Sequence, residues 1–170
     1  LIHNEIEWED GAHTESKILN ANLVVKSPGI PDHMSMVKKL HKAAISVVSE
    51  IEFAATFTNA NIIGITGSNG KTTTTMMVYH ILKQAGLDVA MGGNIGESFA
   101  KQVLNDTSNY VLELSSFQLD GIQSFRPHIA VITNITPDHL DRYDHKFENY
   151  IASKFRIVMN QTSKDYLLYD

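Results

Sequence analysis

The chain of 170 residues contains no cysteine, which excludes disulfides and thiol nucleophiles but does not by itself place the compartment. It has no apolar run approaching 18 residues and no visible signal peptide, so the expectation is a protein that does not insert into a membrane. It lacks a basic excess: net charge is −5, charged residues are 19%, and lysines and arginines do not cluster as a nucleic-acid backbone demands. No internal repeat or low-complexity tract is present. His3, His13, His33, His41, His80, His128 and His145 show no zinc-ligand spacing and read as structural.

What is present is a chain able to bury a core, at 43% hydrophobic residues, long enough for one substantial domain or two small ones. Short apolar runs alternate with helical patterns. Residues 23–25 read as a short buried strand, closed by the rigid turn Ser27-Pro28-Gly29-Ile30-Pro31. A helix over 33–44, a strand over 45–48 and a helix over 49–57 follow. Asn59-Ala60-Asn61 marks a boundary between a first unit, 1–58, and a second, 59–170. The second unit reads as strands at 60–65, 89–91, 110–114, 129–132 and 166–169, with helices at 72–85, 98–104 and 144–160. This pattern predicts an α/β fold with parallel sheets. Each strand ends in glycine or polar residues, the edge where open α/β sheets hold ligands. Leu1 is not a methionine and residues 166–170 look like a strand just begun, so both ends are expected to be cut.

Residues 64–72, GITGSNGKT, carry the strongest local signal. The usual phosphate-loop string places a glycine where Ile65 stands, so the match is imperfect. The context compensates, because an apolar strand precedes the loop and a helix follows. Strand, Gly-rich turn and helix N-terminus together make an anion nest. Lys71 is placed for terminal phosphates and Thr72 for Mg2+. Glu113 lies in an apolar strand, where a carboxylate is either a metal ligand or a hydrogen-bonded structural group. Ser115, Ser116 and Gln118 suit polar substrate groups, with a helix N-cap as the alternative for one serine. His139, crowded by Asp138, Asp141 and Arg142, suits a metal or phosphate oxygen, or equally a loop-packing role. Lys154, unaided, reads as one more solvated helix lysine.

Taken together, GITGSNGKTTTT, GGNIG at 92–96, ELSSFQL at 113–119, TNITPDHLDRY at 133–143 and the following SKFRI resemble the Mur ligases over the whole chain. The resemblance explains the imperfect string through a shorter Gly-x-x-Gly-Lys-Thr form at 67–72. It implies a small Rossmann-like, UDP-substrate-binding domain over 1–58 lacking its opening strand, then a P-loop NTPase-like central domain over 59–170, incomplete at its end. The implied activity is ATP-dependent amide ligation through an acyl phosphate, and the GGNIG and ELSSFQL pair points to the branch that adds D-glutamate to UDP-N-acetylmuramoyl-L-alanine. The resemblance assigns Gly67, Ser68, Asn69, Gly70, Lys71, Thr72 and Thr73 to ATP, with Lys71 on its β,γ-phosphates. It assigns Thr72 and Glu113 to a first Mg2+ and His139 to a second, shared with Lys154 as a CO2-derived carbamate. Asn94, Ser115 and Gln118 would contact the muramoyl-peptide substrate, and Ser27, Pro28, Gly29 and Ile30 the turn beside its uracil and diphosphate. Lys71, His139 and Lys154 would be the catalytic set, in a cytoplasmic monomer without nucleic-acid partners. Rival readings are a sibling amide ligase such as a folylpolyglutamate synthase, a P-loop ATPase or GTPase switch, and a nucleotide-binding remnant without catalysis.

Overall fold

Two parallel sheets organise the described residues, 6–170, of the computed structural model; His3 and Glu5 lie outside them. The smaller sheet pairs β1 (Leu23–Val25) with β2 (Ser46–Val48) through the crossover helix α2 (Ser35–Lys42). A short helix, α1 (Glu15–Leu19), precedes β1 and carries too few apolar positions to announce itself in the sequence. β1 does not have the burial its apolar letters suggest. Leu23 and Val25 are 41% and 44% exposed. They occupy one side of a two-stranded ribbon that no element covers, and strand burial requires a neighbour on each face.

The larger sheet has five strands in the order β4-β5-β3-β6-β7, all parallel. Its members are β3 (Asn61–Thr66), β4 (Val89–Gly93), β5 (Asn109–Glu113), β6 (Ile129–Ile132) and β7 (Tyr166–Tyr169). The expected strands are all present, within a residue or two of their predicted limits. β3 is central because successive residues alternate between two covered faces. Ile65 joins Val89 and Val111 on the face packed by Val78, Tyr79 and Leu82 of α4 (Lys71–Gln84). Ile62, Tyr110 and Leu112 face the other way, onto Phe99 of α5 (Phe99–Gln102), Leu119 of α6 (Ser116–Asp120), and Ile157.

α3 (Glu50–Ala55) enters this second core, burying Ile51 and Ala54. Its start is fixed by Ser49, whose Oγ accepts from the Glu52 amide at 3.2 Å and whose own amide donates to Gly121 O at 2.8 Å. The Glu52 side chain, 6% exposed, accepts from the amides of Gln123, Ser124 and Phe125, each at 2.8 Å, and from the Ser124 hydroxyl at 2.6 Å. The two sheets are thus latched through α3. The last helix, α7 (Phe147–Phe155), is shorter than the predicted 144–160. Asp144 and His145 adopt left-handed φ of 55° and 56°, which no helix accommodates, and residues 156–158 tighten into a 3-10 turn.

Candidate active site

The C-terminal ends of β3, β5 and β6 meet at the loop 67–70. Gly67 is required there. Its φ is +149°, and a Cβ would stand 2.0 Å from Thr133 Oγ1. The loop is pinned by the residues that follow β6. Ser68 N donates to Asn134 O at 2.9 Å and Asn69 N to Asn134 Oδ1 at 2.9 Å, while Thr133 Oγ1 donates to Asn69 O at 2.6 Å. Ser68 Oγ bridges Thr136 O at 2.9 Å and the Tyr150 hydroxyl at 3.1 Å. These anchors were invisible in the sequence because they join positions more than sixty residues apart. Beyond the loop, the first amides of α4 have no intrahelical acceptor and point toward the space an anion would fill. Lys71 Nζ rests on Ser68 O at 3.0 Å, folded against its own loop.

Glu113 ends β5 beside this loop and is 2% exposed. Thr72 Oγ1 donates to its Oε2 at 2.7 Å, and Asn94 Nδ2 donates to its Oε1 at 2.8 Å. Gly93, with φ of +98°, brings Asn94 close, since a Cβ there would lie 2.3 Å from Glu113 O. Thr72 and Glu113, expected to act as a pair, therefore form one hydrogen-bonded unit with Asn94, which the sequence placed elsewhere. Two ligands at right angles around Mg2+, each about 2.0–2.1 Å from it, lie about 2.9 Å apart. The Thr72 and Glu113 oxygens, 2.7 Å apart, fit that demand as hard donors. Among the described residues, no three histidine, aspartate or glutamate side chains gather as a ready-made metal cage.

Lys154 departs furthest from the unaided reading. It is 2% exposed, with Nζ donating to Gly67 O at 2.8 Å and lying 4.6 Å from the Tyr150 ring centroid. Burial, with the Lys71 charge adding to it, pushes its amine down to about 8. The α7 face carrying it is held against α6 by Ser153, which donates to Asp120 Oδ1 at 2.6 Å; Tyr143 donates to Asp120 Oδ2 at 2.9 Å. Burial raises both the Asp120 carboxyl and the Tyr143 phenol above their ordinary values.

His139 sits in the left-handed region at φ 50° and is more than half exposed, with its ring 5.2 Å from Phe117. Such a conformation costs about 1–3 kcal/mol in a non-glycine residue and concentrates at functional loops. Ser115 caps α6, and its capping box engages Gln118, whose Oε1 accepts from Ser115 N at 2.9 Å. The N-cap alternative is the observed role for Ser115, and it turns Gln118 Oε1 back into the chain.

A cavity of about 220 Å³ joins these groups. Lys71, Asn94, Ser115, His139 and Lys154 line it, and Pro28 and Gly29 form its opposite wall. Ser116, Phe117, Asp138 and Tyr150 complete the lining, of which the sequence singled out neither Phe117 nor Tyr150 for a role. Ser27 and Gln118 do not line it, and neither do Thr72, Thr73, Glu113 or the loop residues 67–70. His128, taken as structural, is so: its Nδ1 accepts from Ile62 N at 3.2 Å.

A glycine-rich loop, a Thr–Glu oxygen pair and a buried lysine thus stand together at the strand ends of a parallel α/β sheet. A protein-family model for the Mur ligase middle domain matches residues 65–170, and the chain belongs to the Mur ligase family. It is 65% identical over 171 aligned residues to a UDP-N-acetylmuramoylalanine--D-glutamate ligase of Christiangramia forsetii, covering 100% of this chain and 38% of that relative. It is 57% identical over 165 residues to the enzyme of that name from Bacteroides fragilis, covering 96% of this chain and 37% of the relative. The chain thus spans less than two fifths of these relatives' length. Among solved structures, the fold is shared with a UDP-N-acetylmuramate:L-alanyl-gamma-D-glutamyl-meso-diaminopimelate ligase from Neisseria meningitides, at TM-score 0.59 and 18% identity over 92% of this chain and 54% of that one. It is also shared with a MurF ligase from Thermotoga maritima in complex with ADP, at TM-score 0.57 and 18% identity over 89% of this chain and 46% of that one.

Proposed function

We propose that these residues belong to an ATP-dependent amide ligase that joins D-glutamate to UDP-N-acetylmuramoyl-L-alanine in peptidoglycan precursor synthesis. The observation that carries the reading is the Thr72–Glu113–Asn94 unit, whose Asn94 lines the same cavity as Lys71, Lys154 and His139. The 65% identity to a relative of that name supports the choice of amino acid. In this reading residues 1–58 form a Rossmann-like unit for the UDP end of the substrate. Residues 59–170 form a P-loop NTPase-like unit for ATP, with α3 bridging the two. No helix among the described residues is long and apolar enough to cross a membrane, and we place the enzyme in the cytoplasm, as a monomer, where ATP and nucleotide-sugars are found.

The chemistry follows from the placement. The amides of Gly70, Lys71 and Thr72, with the Lys71 ammonium, hold the β- and γ-phosphates and keep the γ-phosphoryl in line with the L-alanyl carboxylate. That carboxylate attacks phosphorus, ADP leaves, and an acyl phosphate forms. The D-glutamate amine, having lost a proton, attacks the acyl carbon, and phosphate departs to leave the amide. His139 faces the cavity and is our candidate to take that proton. Asn94 and Ser115 orient the muramoyl-peptide, and Gln118 supports them through the α6 cap. A divalent cation held by Thr72 and Glu113 would neutralise charge on the transferring phosphoryl group.

A second ion near His139 would need another anionic ligand, because the Lys154 ammonium would repel it. Lys154 would supply that ligand as a carbamate, formed when its neutral amine adds to CO2 and releases one proton. The lowered pKa supports this by raising the fraction of free amine. A carbamate resonance in carbon-13 NMR of protein in labelled bicarbonate, absent in Lys154→Arg, tests it.

The test of the whole reading is phosphate release by the full-length protein with ATP, Mg2+, UDP-N-acetylmuramoyl-L-alanine and D-glutamate, omitting each in turn. Release that requires both the nucleotide-sugar and D-glutamate is expected. Release with L-alanine or a diamino acid instead would make it a sibling ligase, and release from ATP alone would end the ligase reading.

A further inference from the structure

Within the 136–142 segment, Arg142 has no role in this chemistry, yet it hydrogen-bonds to the Pro28–Gly29 backbone that helps line the cavity. Arg142 leaves the 3-10 turn that starts at His139. Its Nη1 donates to Gly29 O and its Nη2 to Pro28 O, each at 3.3 Å. Its guanidinium lies over Phe117, with Cζ 4.4 Å from the ring centroid, and the same ring meets the His139 imidazole at 5.2 Å. Among the described residues, these two hydrogen bonds are the ones that tie the turn 27–31 to the larger sheet's half of the chain. Within its own half, the turn is closed by Ile30 N on Ser27 O at 3.0 Å and by Lys26 Nζ on Ile30 O at 2.6 Å.

We propose that Arg142 is a positioning residue: through two backbone carbonyls and one aromatic face it sets the Pro28–Gly29 wall of the substrate cavity against the His139 loop. It touches no reacting atom. The planar fork of a guanidinium suits both tasks, since it addresses two carbonyls with parallel N–H groups while stacking on a ring; an ammonium does only one. The wall it sets belongs to the smaller sheet's half of the chain, which the proposed function assigns to the UDP end of the substrate. The effect therefore falls on the nucleotide-sugar rather than on ATP. This last step rests on the proposed function above.

The experiment compares full-length wild type with Arg142→Ala and Arg142→Lys, after confirming that each melts as a folded protein. In hydrogen exchange, the peptide covering 26–34 is expected to exchange several-fold faster in both variants, with α4 unchanged. In steady-state assays the KM for the nucleotide-sugar is expected to rise about tenfold, with the KM for ATP within about twofold. Added methylguanidinium should recover part of the loss in Arg142→Ala and none in Arg142→Lys. Unchanged exchange over 26–34 overturns the inference, as does a parallel rise in both KM values, which marks a general structural defect. A wild type that ignores the nucleotide-sugar ends the functional reading instead, while the exchange measurement still decides the clasp.

Discussion

β1 and β5 are built from similar letters and meet opposite fates. Leu23-Val24-Val25 lies in a two-stranded ribbon with its alternate side chains about two fifths exposed. Tyr110-Val111-Leu112 lies between β4 and β3 and is wholly buried. The difference is in their neighbours. β5 has a strand on each side and helices on both faces, so its backbone and side chains are satisfied at once, and it can carry Glu113 into a dry environment. That environment strengthens the hydrogen bond that Thr72 donates to this carboxylate. β1 has one strand partner and an uncovered face, so its side chains contribute little to holding the fold.

The comparison can be broken at several points. The largest effect is expected at the end of β5. Glu113→Gln removes the anionic partner of Thr72 and should lower kcat by about 10²–10³-fold in the phosphate-release assay, with Lys71→Ala close behind at roughly 10²-fold or more. A retained rate in Glu113→Gln would return that carboxylate to a structural role. Next comes the latch between the sheets. Glu52→Ala strips the acceptor from three amides and a hydroxyl, and should cost about 2–4 kcal/mol in urea unfolding.

The pH dependence of that latch has a definite sign. Burial pushes the Glu52 carboxyl up, but the Ser124 hydroxyl and the amides of Gln123, Ser124 and Phe125 outweigh it and hold it below the ordinary glutamate value. Its contribution is therefore complete above the unfolded-state pKa and disappears as pH falls through the folded one. The stability gap between wild type and Glu52→Gln should be widest near neutrality and should close in acid. A gap that does not narrow in acid would mean that shape, not charge, holds the latch. The smallest effect belongs to β1: Leu23→Ser should change stability by no more than about 0.5 kcal/mol, against several for a comparable truncation at Leu112.

The legible parts of this molecule were those whose causes are near in sequence. The strand–loop–helix at 61–84, the helix start at Ser49 and the cap at Ser115 depend on residues within four positions of one another. The inner strands of the larger sheet were found because both-face burial writes itself as continuous apolar runs, whereas the edge strand β7 is an apolar run that stays largely exposed. Periodicity could not show α1, with its five residues, nor the late start of α7 behind two left-handed residues. Lys154 is the clearest division. Its helix was legible and its burial was not, because Gly67 and Lys71 come to it from one distant segment, while Tyr150 lies one turn back on its own helix.

By itself, the sequence determined the parallel α/β class, the glycine-rich strand–loop–helix with Lys71 and Thr72, and the family, since local backbone preferences and ordered motifs are properties of contiguous residues. Only the tertiary structure decided that Glu113 binds Thr72 and Asn94 together, that Lys154 is dry, that β1 is not, and that Arg142 closes on Pro28 and Gly29. Each of these depends on which distant segments the packing brings within 4 Å or less, and desolvation and hydrogen-bond strength are set at that range.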